Sequence, residues 1–285
     1  MPEVELSAGM IDYEDTGGTG SAVVLLHGVV MDGTLWRKVV ADLRPDYRCV
    51  VPTLPLGAHR RPMRWDADLS LRGQALLVAE FLERLDLRDV TIVCNDWGGA
   101  LLLMSEGRDE RIGRLVLAAC ETFDNMPPGL PGRNLALLGS IPGGLALAAQ
   151  ALRLRPLRRL PLTLGWMSKR AVPSEVVDGW LLPLQTQREI RRDLRKYVSG
   201  VKQARAELLA ATERLSAFDR PVLVAWAAED RVMPVAHGRR LAQLIPRCRF
   251  VEIHDSYTLI PEDQPAVLSA HIRQFLVDEA AMSAA

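Results

Sequence analysis

A carboxylate at a sharp corner is the residue of this chain best placed to do chemistry. In "VTIVCNDWGGALLL" (90–103) an apolar, strand-like run reaches Asp96, and a run rich in Ala and Leu follows Gly98 and Gly99. A strand–turn–helix corner of this kind lifts one side chain to the carboxyl edge of a sheet, provided its neighbours are small. Cys94 and Gly98, two residues to either side of Asp96, meet that demand. Ligands of open α/β sheets bind at the same edge. An aspartate presented there can attack an electrophilic carbon, or it can move protons if an apolar pocket raises its pKa. An Asp that merely caps the helix beginning at Trp97 would read the same from position alone.

The surrounding elements are those needed to build such a corner. "AVVLLHG" (22–28), "RCVVPT" (48–53), "VTIVCN" (90–95), "RLVLAAC" (114–120), "PVLVAWA" (221–227) and "RFVEI" (249–253) are continuously apolar runs, as expected of parallel strands buried on both faces. "SLRGQALLVAEFLERLD" (70–86), "HGRRLAQLIP" (237–246) and "AVLSAHIRQFLVDEA" (266–280) carry apolar residues at three- and four-residue spacing, which predicts covering helices. The alternation predicts an α/β fold with a mostly parallel sheet flanked by helices. It breaks between about Glu121 and Asp219, where Pro, Gly and Arg clusters accompany Leu-rich helical stretches and no convincing strand. The expected organisation is a core from 1–120 and 220–285, with a helical insertion over 121–219.

Composition narrows the function classes. The 285 residues are 48% hydrophobic, enough for a sizeable core, and 35 Lys+Arg balance 35 Asp+Glu. That neutrality points away from nucleic acid and from membranes as partners. No apolar run reaches the roughly 20 residues of a membrane span, and "MPEVELSAGM" carries no signal-peptide pattern. Cys49, Cys94, Cys120 and Cys248 are widely spaced without a C-x-x-C pair, in keeping with reduced thiols and a cytoplasmic location. No phosphate-binding Gly-rich loop or clustered metal ligands occur, so the expectation is no cofactor and no metal.

In succession, "LLHGVVMDGTLW", "NDWGG", "VLVAWAAEDRVMP" and "EIHDSYTLIPEDQP" resemble the landmarks of the α/β-hydrolase fold. The resemblance runs from about Leu6 to Leu276, and the insertion matches that family's helical cap. Asp followed by Trp-Gly-Gly resembles the epoxide hydrolase and haloalkane dehalogenase branch, in which the carboxylate is the nucleophile; esterases and lipases carry Ser there. The resemblance implies an oxyanion site from the backbone N–H groups of Trp97 and Val29, although Val30 stands where the family often has Pro. It also implies a supporting acid, Asp230 in "AEDRVMP" or alternatively Glu121, which could instead line the pocket or cap the first insertion helix.

The same pattern fails at the hydrolytic base. Where the family has Gly-His, this chain has Tyr257 and Thr258. His254, four residues earlier, and His59, in the loop "LPLGAHRRP", are the rival replacements, and Tyr257 could donate to a substrate oxygen. His27 belongs to the "HG" landmark, while His237 and His271 fall on covering helices. Tyr197 is the insertion's only tyrosine, where epoxide hydrolases commonly use two; Trp166 and Trp180 are its indoles. These, with His59 and Glu121, are the expected substrate-binding residues. The expected function is hydrolysis of an apolar small molecule at an electrophilic carbon, epoxide opening through Asp96 ahead of dehalogenation. A non-hydrolytic lyase, isomerase or cyclase, and a catalytically dead ligand-binding homologue, are the rivals.

Overall fold

The computed structural model describes residues 1–283. Eight strands form one sheet: β1 (Glu3–Leu6), β2 (Gly9–Asp15), β3 (Ala22–Leu26), β4 (Arg48–Pro52), β5 (Val90–Asp96), β6 (Ile112–Cys120), β7 (Val222–Ala227) and β8 (Cys248–Ile253). Their order across the sheet is β1-β2-β4-β3-β5-β6-β7-β8. The run from β4 to β8 is parallel, and the β1–β2 hairpin joins it antiparallel through β2. All six apolar runs are strands. β3 and β5 are buried along their whole length, because helices cover both faces of a parallel sheet.

Outside the sheet lie α1 (Arg37–Leu43), α2 (Leu71–Arg84), α3 (Leu102–Ser105), α4 (Gly129–Ser140), α5 (Gly144–Ala151), α6 (Ser174–Thr186), α7 (Arg188–Ser199), α8 (Val201–Arg214), α9 (Val235–Leu244), α10 (Ile260–Asp263) and α11 (Pro265–Ser283). The three periodic segments become α2, α9 and α11. Helix α2 starts where Ser70 accepts from the Gly73 N–H at 3.1 Å, a side-chain cap for one of the unpaired amides of the first turn.

Between β6 and β7 the chain forms α4 to α8 and no strand. Helix α7, "REIRRDLRKYVS", shows why its arginines do not keep it off the protein. Ile190, Leu194, Tyr197 and Val198 are buried at helical spacing, while Arg188, Arg191, Arg192 and Arg195 lie on other faces. That stripe turns Tyr197 inward. Helix α8 packs on α2 and α3, fixing the insertion against the corner that carries Asp96.

Candidate active site

At the end of β5 the register against β6 shifts between Asn95 and Asp96, and Asp96 takes φ 66°. This left-handed conformation is uncommon for any residue with a Cβ, although Asp tolerates it better than most. It swings the Asp96 side chain off the sheet. The turn closes only because its neighbours lack side chains: a Cβ on Gly28 would run into the Asp96 carboxyl, and one on Gly98 into the Glu121 carbonyl. The Asp96 side chain therefore stands at the sheet edge, with the residue 5% exposed. It also lines a chamber of about 360 Å³.

One amide holds the carboxylate. The Val29 N–H donates to Asp96 Oδ2 at 3.1 Å. Val30 beside it has φ 60°, a strained conformation for a β-branched residue, stabilised by its N–H donating to the Leu56 carbonyl at 2.8 Å. The Trp97 N–H does not join Val29; it donates to the Asn95 carbonyl at 2.8 Å, within the turn itself. Of the two amides expected to form an oxyanion site, that of Val29 is engaged by the Asp96 carboxylate and that of Trp97 by the Asn95 carbonyl. Burial raises the Asp96 pKa to about 7, against the lowering effect of the Val29 N–H and with a further push upward from Asp230.

Glu121 is the second carboxyl of the chamber. It leaves the end of β6, its N–H donates to the Asp96 carbonyl at 3.0 Å, and its Oε2 accepts from the Gly98 N–H at 3.3 Å. Burial, and then the charge of Asp96, push its pKa well above the usual range. Tyr197 faces the same two carboxyls from α7, and burial followed by their charges raises its pKa as well. The Tyr197 phenol and the Trp97 indole N–H lie beside each other, yet neither closes a regular hydrogen bond. Buried donors without partners are rare, and the Tyr197 phenol lines the chamber.

Asp230 lies behind this group after β7. Its Oδ1 accepts from the amides of Val232 and Met233, both at 2.8 Å, and from the Thr258 hydroxyl at 2.7 Å. Its Oδ2 is buried without a partner, and burial raises its pKa to about 7. Thr258 is fully buried, with its carbonyl accepting from Asn95 Nδ2 at 2.7 Å. The acid position thus meets a hydroxyl where the resemblance led one to look for an imidazole.

No histidine is among the residues lining the chamber. His59 is buried away from it, with Nε2 3.3 Å from Asp193 Oδ2 on α7 and Nδ1 accepting from the Gly57 N–H at 3.3 Å. It is a strut of the insertion rather than a residue of the pocket mouth. His254 is exposed and does not line the chamber. Tyr257 does not line the chamber either; its ring lies under the Arg231 guanidinium at 4.6 Å. His27 accepts from the Leu54 N–H at 2.8 Å, a structural role.

Of the two indoles, Trp180 lines the chamber while its N–H is spent on Asp32 Oδ1 at 3.1 Å and Thr34 Oγ1 at 2.8 Å. It offers a ligand only an apolar face. Trp166 is half-buried and packs against the core without lining the chamber. Sequence reading missed Asn134 and Arg158, both of which line the chamber. Arg158 is tied to Asp178 and to the Leu152 carbonyl, and nothing in "RLRPLRR" singles it out. Among the described residues, no group of three or more His, Cys, Asp or Glu could hold a metal ion.

The arrangement is two adjacent, protonatable carboxyls and a phenol at the end of an apolar chamber. A sequence profile described as "alpha/beta hydrolase fold" matches residues 21–265. The chain belongs to the α/β hydrolase fold family. This α/β hydrolase is 28% identical over 287 residues to a cis-3-alkyl-4-alkyloxetan-2-one decarboxylase of Xanthomonas campestris pv. campestris, covering 93% of this chain and 92% of that protein. It is 24% identical to haloalkane dehalogenase 2 of Mycobacterium bovis, covering 93% and 91%. In three dimensions it matches the solved structure of a thermophilic esterase from Thermogutta terrifontis with TM-score 0.71 and 21% identity, covering 98% of this chain and 99% of that one. The last likeness is one of fold.

The raised Asp96 pKa has a consequence for stability. Its proton is held more tightly in the folded than in the unfolded α/β hydrolase, so this contribution is complete below about pH 4 and is lost as pH rises through about 7. Asp96→Asn keeps an acceptor for the Val29 N–H and removes the titration. The variant is expected to melt at a higher temperature than wild type at pH 8, by an amount on the order of 2–4 kcal/mol of stability. The gain should vanish at pH 4; thermal melts at the two pH values check it.

Proposed function

We propose that this α/β hydrolase opens a strained, oxygen-containing ring, most simply an epoxide, in an apolar small molecule, with Asp96 as general base and Glu121 as general acid. The single observation that carries the reading is the pairing of these carboxyls in one apolar chamber that no histidine lines. A carboxylate ester on Asp96 would need an activated water to leave. Direct attack by a water that Asp96 itself activates needs no further base.

In this reading Asp96 takes a proton from water as the water oxygen bonds to a ring carbon. The C–O bond of the ring breaks, and Glu121 gives its proton to the departing oxygen, with the Tyr197 phenol donating a hydrogen bond to the same atom. One water and one epoxide give one diol. The proton on Asp96 then returns to Glu121, directly or through water, and restores the starting state. Environments that separate two carboxyl pKa values mark which is base and which is acid. Asp96, at about 7, is partly ionised at neutral pH, and burial followed by the charge of Asp96 favours the protonated form of Glu121. The insertion 121–219 serves as a cap over the chamber that limits the access of bulk water to the carboxyls, which strengthens these electrostatic contacts.

A single turnover in ¹⁸O-labelled water tests this. The label is expected in the diol from the first turnover and absent from the peptide containing Asp96; label in Asp96 would mean an ester forms and would overturn the base role.

The relatives named as oxetanone decarboxylases favour a second reading at the same site. A four-membered lactone is also a strained, apolar electrophile, and its loss of CO2 to give an alkene consumes no water, which suits a chamber that no histidine lines. Gas chromatography of products from an epoxide and from a cis-dialkyl oxetanone separates the two: diol in one case, alkene with CO2 in the other.

A further inference from the structure

The chain is neutral overall, but its charge is not evenly spread. Residues 126–173 form a stretch of 48 with no Asp or Glu and with seven cations, Arg133, Arg153, Arg155, Arg158, Arg159, Lys169 and Arg170. Four of the seven are occupied. Arg158 meets Asp178, Arg159 binds the carbonyls of residues 168–170, and Lys169 and Arg170 pair with Asp255. Arg133, Arg153 and Arg155 are exposed, and among the described residues no carboxylate pairs with them.

The same stretch holds a set of exposed aliphatic side chains. Leu147, Leu160 and Leu162 both line the chamber and meet solvent, at 72%, 42% and 46% exposure. They are the rim, apolar on both sides. Leu154, at 63% exposed, lies between Arg153 and Arg155 in the chain, and Arg133 sits between Gly132 and Asn134, which line the chamber. Isolated exposed leucines are ordinary on a soluble protein. Leucines rimming the mouth of an apolar chamber, in a stretch that is empty of acids and also carries unpaired cations, are not.

We infer that the chamber mouth, around Leu147, Leu154, Leu160 and Leu162, docks on the surface of an anionic lipid bilayer, with Arg133, Arg153 and Arg155 against the lipid phosphates. Charge complementarity selects the partner. Cations beside a membrane-facing apolar surface contribute about 1 kcal/mol each on anionic leaflets, and aliphatic side chains add their burial in the acyl boundary. A bilayer is favoured over an acidic protein because the rim is continuous with the chamber, so an apolar ligand can pass from hydrocarbon to chamber without crossing water. No helix among the described residues is long and apolar enough to cross a membrane; the contact is peripheral. Overall neutrality, which pointed away from membranes, conceals this local excess. The docking does not depend on which reaction Asp96 performs.

Vesicle co-sedimentation tests it without any activity readout. Wild-type protein is expected to sediment at low salt with vesicles of equal parts phosphatidylcholine and phosphatidylglycerol, and to release as salt is raised. Binding to pure phosphatidylcholine should be much weaker. The triple variant R133Q/R153Q/R155Q is expected to bind the anionic vesicles on the order of 100-fold more weakly, about fivefold per cation. The pair Leu147→Ser and Leu162→Ser should lower binding several-fold while leaving its salt dependence unchanged. A control triple variant of Arg44, Arg84 and Arg88 to Gln, outside this stretch, should bind as wild type does. Melting temperatures establish that each variant is folded. Failure of wild type to sediment with anionic vesicles would overturn the inference, as would an equal loss in the control variant. Binding to soluble polyglutamate with vesicles left unbound would also overturn it and assign the surface to an acidic protein.

Discussion

Asp96→Asn should lower turnover of a ring substrate by roughly four orders of magnitude, the upper end of the contribution of a positioned general base. The substitution leaves the geometry in place. Asn still offers an oxygen to the Val29 N–H, which now meets Asp96 Oδ2 at 3.1 Å, and it tolerates φ near 66° about as well as Asp does. Ligand binding should therefore survive, because the chamber wall is otherwise nearly all aliphatic and aromatic. Steady-state kinetics beside a binding titration with a non-reactive analogue check both halves. A variant that retains more than a tenth of wild-type turnover would remove Asp96 from the reaction. Paired with the higher melting temperature expected of the same variant at pH 8, the result would show an active-site carboxyl retained at a cost to the fold.

Glu121→Gln is the second large effect. It should reduce turnover roughly 100-fold, the low end of the contribution of a positioned general acid. Gln keeps an oxygen for the Gly98 N–H and loses only the transferable proton. The informative readout is the pH profile. For wild type, kcat/KM should rise as pH increases through about 7, where Asp96 loses its proton. It should then fall at higher pH as Glu121, whose pKa is raised well above the usual carboxylate range, ionises. The two limbs belong to the coupled pair rather than to either residue alone. In Glu121→Gln the alkaline fall is expected to disappear while the acid limb remains. An unchanged bell in that variant would assign the acid role to another group, with Tyr197 the next candidate by position.

The elements that were legible in the sequence are mostly those whose burial is uniform. Six apolar runs read as strands, and each is one; β3, β4, β5 and β7 are buried almost throughout, whereas β8 at the sheet edge is only partly buried. The hairpin of β1 and β2 was not legible, because "EVELSAGMIDYED" mixes charges into an edge that is solvated on one side. Asp96 and Glu121 stood out because each follows such a run directly, so the strand end sets where the carboxyl goes. Tyr197 could be named as the insertion's only tyrosine, but its inward turn depends on the stripe of α7. His59, His254 and Tyr257 were nominated by their place in the chain relative to landmarks, and Trp166 as one of the insertion's two indoles. Their side-chain directions are decided by packing that spans the chain: Asp193 draws His59 onto α7, and Arg231 covers Tyr257.

The indole of Trp180 has a mechanical implication. Its N–H is bolted to Asp32 and Thr34, only a few positions beyond Val29 on one short loop, and Val29 grips the carboxylate at the corner. A guest bulky enough to lever helix α6 outward must therefore pull on the segment that steadies Asp96. Movement of that wall and slack at the Asp96 oxygen are in this way joined by a short run of hydrogen bonds.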